Sequence, residues 1–345
     1  MPPPARLWAG AHYTRGDRDR AIRRGMTFLY DQIACNPQHF AAWGSDLLSA
    51  FDNIAATSLD PELRRMAWRM GNERAREWRR LRRKVPPNPD VNLLTDLIYG
   101  DDASKHLGAA DPAFHAALAA ASRRFNVYDY LGFDPAKEPP PSDLPAECPK
   151  CGLLNDRGAT VCRRDGAKLT MQNPYDIFQD ALIAAYSGDR CGITLGAHYQ
   201  DVLRWLPTLR PYPARGTASS HTYYAGIYTA THVIYTYNHY SLYRVSPGCF
   251  PQEFEHLQAN LRQAQADHDP ETMGEYLDSL RAFGLGLEDN LVRTGFDFLL
   301  STQNSDGSWG SRGDPDIYGR YHPTWTAIDG LRDYRWDTVL PCPGF

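Results

Sequence analysis

Hydrophobic positions recur along most of this chain at the three- and four-residue spacing of amphipathic helices. From Asp17 onward, Ala21, Met26, Phe28, Leu29 and Ile33 fit one such helix. Further helices are expected at about 38–57, 60–84, 89–100 and 112–124. A second set is expected at about 174–187, 196–206, 219–244, 250–267, 270–284, 287–303 and 321–334. That makes about twelve, and no strand-rich region interrupts them outside one short cysteine-bearing stretch. The run from Pro135 to Pro145 breaks the pattern and reads as a linker. The chain is therefore expected to comprise a flexible arm (1–14), helices (15–133), a linker with an insertion (134–172), helices (173–336) and a tail (337–345).

The stretch from Leu291 to Trp336 carries a more specific signal. Gly295-Phe296-x-Phe298-Leu299, then Gln303 and Asp306-Gly307-Ser308-Trp309, resemble the QW-type repeat of terpenoid cyclases. Tyr321-His322-x-Thr324, followed by Gly330-Leu331, is similar to the last-repeat signature of protein prenyltransferase β subunits. The resemblance implies a mainly α fold, an (α/α)6 toroid whose inner helices surround an aromatic-lined cavity. Arg23-x-Gly25-x-x-Phe28-Leu29 echoes Arg293-x-Gly295-x-x-Phe298-Leu299, as a ring of helical hairpins would leave behind. The last helix is expected to begin near Tyr321, with Pro323 in its first turn.

The prenyltransferase resemblance also implies a catalytic zinc bound by an Asp, a Cys two residues later and the His of the Tyr-His segment. Asp189, Cys191 and His322 supply those residue types, although the Asp-x-Cys lies further upstream than in that family and Pro follows His322. The acidic DxDD of terpenoid cyclases is matched only by half, at Asp314-Pro-Asp316.

Cys148-x-x-Cys151 and Cys162-x-x-Asp165-Gly166 resemble the two knuckles of a zinc ribbon. A CxxC knuckle turns both sulfurs to one side, and tetrahedral closure needs two further ligands. Cys162 is the expected third, and Asp165 the fourth where a ribbon has Cys. Structural zinc is the expected cofactor, because so short and polar a stretch folds poorly without a metal. A second metal in the barrel remains open.

Composition narrows the class. A hydrophobic share of 42% supplies a large core, and 20 Tyr against 13 Phe favour a lined cavity over a dry one. A net charge of −4 gives no global case for nucleic acid or an acidic membrane. No apolar run is long enough to span a bilayer and no signal peptide is evident, so a cytoplasmic protein with reduced thiols is expected. The run of Arg between Arg64 and Arg83 reads as a solvated outer helix, with Met66, Trp68, Trp78 and Leu81 as its buried face.

On the helix expected over 219–244, His221, His232 and His239 fall within about 20° of one another. This stripe, amid tyrosines such as Tyr235, would line a cavity wall with His232 or His239 as general base. Alternatively, its imidazoles are satisfied by neighbouring carbonyls. Carboxylates could come from Glu271, Glu275 and Asp278, spaced along one helical face, or from Glu253-x-x-His256. Both segments also read as solvated helix surface.

The expected function is an enzyme, with or without a metal, acting on a bulky apolar or aromatic substrate, isoprenoid-like or another natural product. His232, His239, His322, Tyr235, Glu275 and Asp278 are its candidate catalytic residues. The alternatives are a His/Tyr lyase or hydrolase of saccharides, and a non-catalytic scaffold. A protein partner could dock through the ribbon-like module, while neither nucleic acid nor a membrane span is expected.

Overall fold

A computed structural model describes residues 13–344, apart from 147, 152 and 154. The expected arm over 1–14 therefore lies, but for Tyr13 and Thr14, outside the described residues. Among these the fold is mainly α, with thirteen α-helices and four two-residue strands. The chain forms two compact units. Among the described residues, the first comprises 13–83, Tyr99–Asp111 and Tyr237–Gly344; the second comprises Lys84–Ile98 and Pro112–Thr236.

In the first unit, α1 (Arg15–Phe28) is capped by Thr14 and continues into a π-helical turn, Leu29–Ala34. Next come α2 (Pro37–Thr57) and α3 (Pro61–Leu81), each started by a capping side chain, Asn36 and Asp60, with Pro at the first helical position. The buried stripe of α3 is Leu63, Ala67, Met70, Ala75 and Trp78. The expected face was partly wrong: Trp68 is 48% and Leu81 56% exposed. α4 (Val91–His106) follows, and belongs to this unit from Tyr99 onward.

The chain returns to this unit through α10 (Pro251–Ala266), α11 (Pro270–Ala282), α12 (Asn290–Thr302) and α13 (Tyr318–Leu331). α13 begins at Tyr318, so Pro323 lies inside it and not in its first turn. The Gln303-to-Trp309 turn fastens three helices. Gln303 Nε2 donates to the carbonyls of Ala21 on α1 (2.8 Å) and Gly307 (2.9 Å). Trp309 is fully buried; its indole N–H donates to Leu299 on α12, and its backbone N–H to the Thr324 hydroxyl on α13. Gly25 makes room for that ring, since a Cβ there would lie 2.9 Å from it. Both ends of the helical sequence thus meet in one unit.

The segment after Trp336 is pinned as well. β3 (Arg244–Val245) pairs in parallel with β4 (Val339–Leu340), and Cys249 is disulfide-bonded to Cys342. That bond corrects the expectation of uniformly reduced thiols; five cysteines remain free.

The solvated reading of the acidic helices also fails: Glu253, Glu275 and Asp278 are buried. Burial, followed by the nearby Asp329, pushes the Asp278 carboxyl up to about 7, with Arg332 and the Ser241 hydroxyl acting in the opposite sense. Unfolded, this group releases its proton near pH 4. Between those values the folded chain holds more protons, so this group makes stability fall as pH rises. Asp278→Asn should abolish that fall: parent and variant urea midpoints should coincide near pH 4, with the variant ahead by pH 7. A gap that closes as pH rises would contradict this.

The second unit holds α5 (Pro112–Ser122), α6 (Val127–Leu131), α7 (Pro174–Cys191), α8 (Tyr199–Leu203) and most of α9 (Ser220–Tyr237). It also contains the cysteine module, bracketed by the antiparallel pair β1 (Leu144–Pro145) and β2 (Met171–Gln172). No helix among the described residues is long and apolar enough to cross a membrane.

Candidate functional site

Among the described residues, two groups of side chains bring metal-ligating atoms within 4.8 Å of one another: Cys148, Cys151, Cys162 and Asp165; and Glu271, Glu275 and His322.

The first group sits in the cysteine module. Its small core is Cys148, Cys162 and Leu169, with Leu153, Ala159 and Ala167 against it. The Arg164 N–H points at Cys162 Sγ, and the Gly166 N–H donates to the Cys162 carbonyl, forming a knuckle. Gly166 takes a positive φ of 71° to close it. Four ligands at zinc-like bond lengths would set sulfur–sulfur edges of about 3.8 Å and sulfur–oxygen edges of about 3.5 Å. Cys151 and Cys162 are 3.6 Å apart, and Cys148 lies 3.5 Å from both Asp165 oxygens. Asp165 Oδ1 also accepts from the Ala167 N–H (2.9 Å), which orients the carboxylate. The group can therefore hold a metal ion, with Asp165 converging on it beside the three thiols.

The second group is built by α11 and α13. These helices approach almost to backbone contact: a Cβ on Gly274 would lie 2.4 Å from the Thr326 carbonyl, and one on Gly330 would lie 3.0 Å from Gly274. That closeness brings His322, near the start of α13, to Glu271 and Glu275, one turn apart on α11. His322 Nδ1 stands 3.0 Å from Glu271 Oε1. Burial alone would lower the imidazole, but Glu271, Glu275 and Asp46 together push it up to about 9. These carboxylates therefore favour a cation here, a place that the protonated imidazole itself takes. His322 and Glu271 keep 20% and 23% exposure, whereas Glu275 is buried.

Aromatic rings surround this group. Tyr318 stacks on His322 with ring centres 5.5 Å apart, and Trp325 meets the imidazole edge-on. Trp43 stacks on Tyr321 at 5.7 Å, and His39 stacks on Trp43. Trp43 occupies a kink in α2, with φ −129° and ψ 21°. The Tyr321 hydroxyl donates to Asp46 (2.7 Å); burial first, and then Asp46, keep that phenol protonated far above its ordinary range. Tyr318 is 39% exposed, so the wall reaches solvent.

The histidine stripe does not survive as expected. α9 ends at Tyr237, and His239, Tyr240 and Ser241 form a left-handed turn with φ of 55°, 52° and 68°. Their hydrogen-bonded closure onto Asn238 supplies the reason: the N–H groups of Leu242 and Tyr243 both donate to its carbonyl. His239 is thus off the helix and exposed, and packs edge-on to Tyr243. His221 is exposed and ion-paired with Asp176 (3.2 Å). His232 is partly buried, and its Nδ1 is bonded to the Tyr228 carbonyl of its own helix (2.8 Å). Tyr235 is buried beside it, ring centres 5.5 Å apart.

Asp189 and Cys191 lie in the second unit, with other partners: Asp189 takes His198 Nδ1 and the Tyr199 N–H (both 2.8 Å), and the Cys191 thiol faces the Gly188 carbonyl. His322 belongs to the first unit and meets Glu271 and Glu275 there. His256, of the Glu-x-x-His segment, is pushed down to about 4 by burial and is neutral.

Asp46 and Trp43 were missed, although a carboxylate beside Leu47-Leu48 was a readable signal. No protein-family profile matches the chain, nor does any curated protein or solved structure.

Proposed function

We propose that this chain is an enzyme of the α/α-toroid type, holding a divalent metal ion between Glu271, Glu275 and His322. Its substrate is a bulky apolar or aromatic molecule lying against the neighbouring rings. One observation carries the reading: two carboxylates from one helix and an imidazole from another converge where an aromatic wall meets solvent. The hairpin-like order of helices, and the turn that fastens α12 and α13 to α1, support a ring of helices.

When bound, such an ion supplies Lewis-acid polarisation of a substrate oxygen or an activated water. His322 would offer Nδ1, the nitrogen already facing Glu271, and must give up its proton to do so. Tyr321, kept protonated, serves as a hydrogen-bond donor and fixes the Asp46 carboxylate. Tyr318, partly exposed beside His322, offers a ring against which a flat substrate can pack. Sugar faces also stack on such rings, so a saccharide substrate is the second reading. We assign the cysteine module a structural zinc, because three thiolates and one carboxylate complete a tetrahedron and leave no open position.

Metal analysis tests the assignment. In a Cys148→Ser/Cys151→Ser variant, one equivalent of divalent metal should remain, and adding Glu275→Gln or His322→Ala should remove it. A metal-free double variant with unchanged helical circular dichroism would sink the barrel-metal reading.

A further inference from the structure

Helix α3 carries a feature that neither candidate site uses. Between Pro61 and Arg83 stand nine Arg and three Glu, a local surplus of six positive charges in a chain of net charge −4. The remainder of the chain therefore carries −10. Arg65, Arg69, Arg76 and Arg80 are all exposed. At 100° per residue they fall within about 60° of one another, and the row runs about 22 Å along the helix. Packing explains the other arginines: Arg79 pairs with Asp101, Arg74 with Glu73, and Arg64 donates to the Ser58 and Leu59 carbonyls. Glu62 is taken by Arg23, and Glu77 by Arg80. Among the described residues, Arg65, Arg69 and Arg76 have no acidic partner within ion-pair distance. Beside the row stands Trp68, whose ring is half exposed.

We propose that this crest of α3 is a docking surface for an anionic phospholipid bilayer. Arginine forks suit phosphate oxygens, and an exposed Trp beside them suits the interfacial region of a membrane. Glu73 and Glu77 lie on one flank, at about 80° and 120° from Arg65, while Glu62 shares the angle of Arg80 and is paired with Arg23. A plane touching the Arg65, Arg69 and Arg76 edge leaves Glu73 and Glu77 in water. A nucleic-acid groove enclosing the helix would press them against phosphates. The geometry thus favours a flat anionic surface, approached without any membrane span.

Co-sedimentation of the full chain with vesicles decides the matter. Vesicles containing equal parts phosphatidylcholine and phosphatidylserine should bind it at low salt, and pure phosphatidylcholine should not. Each interfacial Arg contributes about 1 kcal/mol, so Arg65→Ala/Arg69→Ala/Arg76→Ala should weaken binding about a hundredfold. The charge-matched variant Arg123→Ala/Arg157→Ala/Arg262→Ala, on exposed arginines elsewhere, should bind like the parent. Equal weakening by both variants, indifference to phosphatidylserine, or tighter salt-sensitive binding to an RNA oligonucleotide without vesicle binding would each overturn the proposal.

Discussion

Replacing Trp309 with alanine should cost the first unit about 4 to 5 kcal/mol, one of the largest single-residue effects in the chain. The indole is fully buried, and its N–H satisfies the Leu299 carbonyl at 2.7 Å. It also fills the space that Gly25 leaves on α1. The substitution therefore opens a ring-sized cavity among three helices and leaves a buried carbonyl without its donor. Trp309→Phe keeps most of the volume and loses only the hydrogen bond, so it should cost less, about 2 kcal/mol. Against a typical total of about 5–15 kcal/mol, that is from about a third to nearly all of the stability. Urea denaturation gives both values. A cost below about 1 kcal/mol for Trp309→Ala would mean the turn does not fasten these helices.

Removing metal from the cysteine module should unfold it while the helices persist. The module's core is three buried side chains with a few partly buried neighbours, too little apolar surface to offset the ordering of the stretch. Structural zinc sites of this size supply about 10–16 kcal/mol of apparent binding energy, which here would be folding energy. After chelation, trypsin should cut quickly at the exposed Arg157, Arg163 and Arg164, with far-UV circular dichroism almost unchanged. Asp165→Ala should release metal at lower chelator concentration, and Asp165→Cys should hold it more tightly. Persistent resistance at Arg163 and Arg164 in the chelated protein would show that the module folds without metal.

Local pattern revealed the helices well because burial of one face imposes its period on the sequence: α2, α10 and α11 lie within a few residues of their expected ranges. It misplaced the end of α9, since Tyr240, Leu242 and Tyr243 continue an apolar rhythm through a turn that only the positive φ of three residues reveals. The Cys249–Cys342 bond joins residues 93 positions apart, and no spacing rule reaches so far. The four candidate ligands of the cysteine module could be read because they are close in sequence. The second ligand group could be read only residue by residue: Glu275 and His322 were each singled out for separate reasons. Their meeting depends on a backbone approach at Gly274 and Gly330 between helices distant in sequence. Asp46 completes the acidic surround from a third helix, and only tertiary packing brings it there.

The central claim, that Glu271, Glu275 and His322 share one metal ion, is tested most directly by anomalous diffraction from crystals of the full chain grown with zinc or manganese. The account predicts an anomalous peak within about 2.0–2.2 Å of a donor atom from each of the three side chains, beyond any peak at the cysteine module. A structure at saturating metal with no peak there, and with the contact between His322 and Glu271 intact, would contradict it.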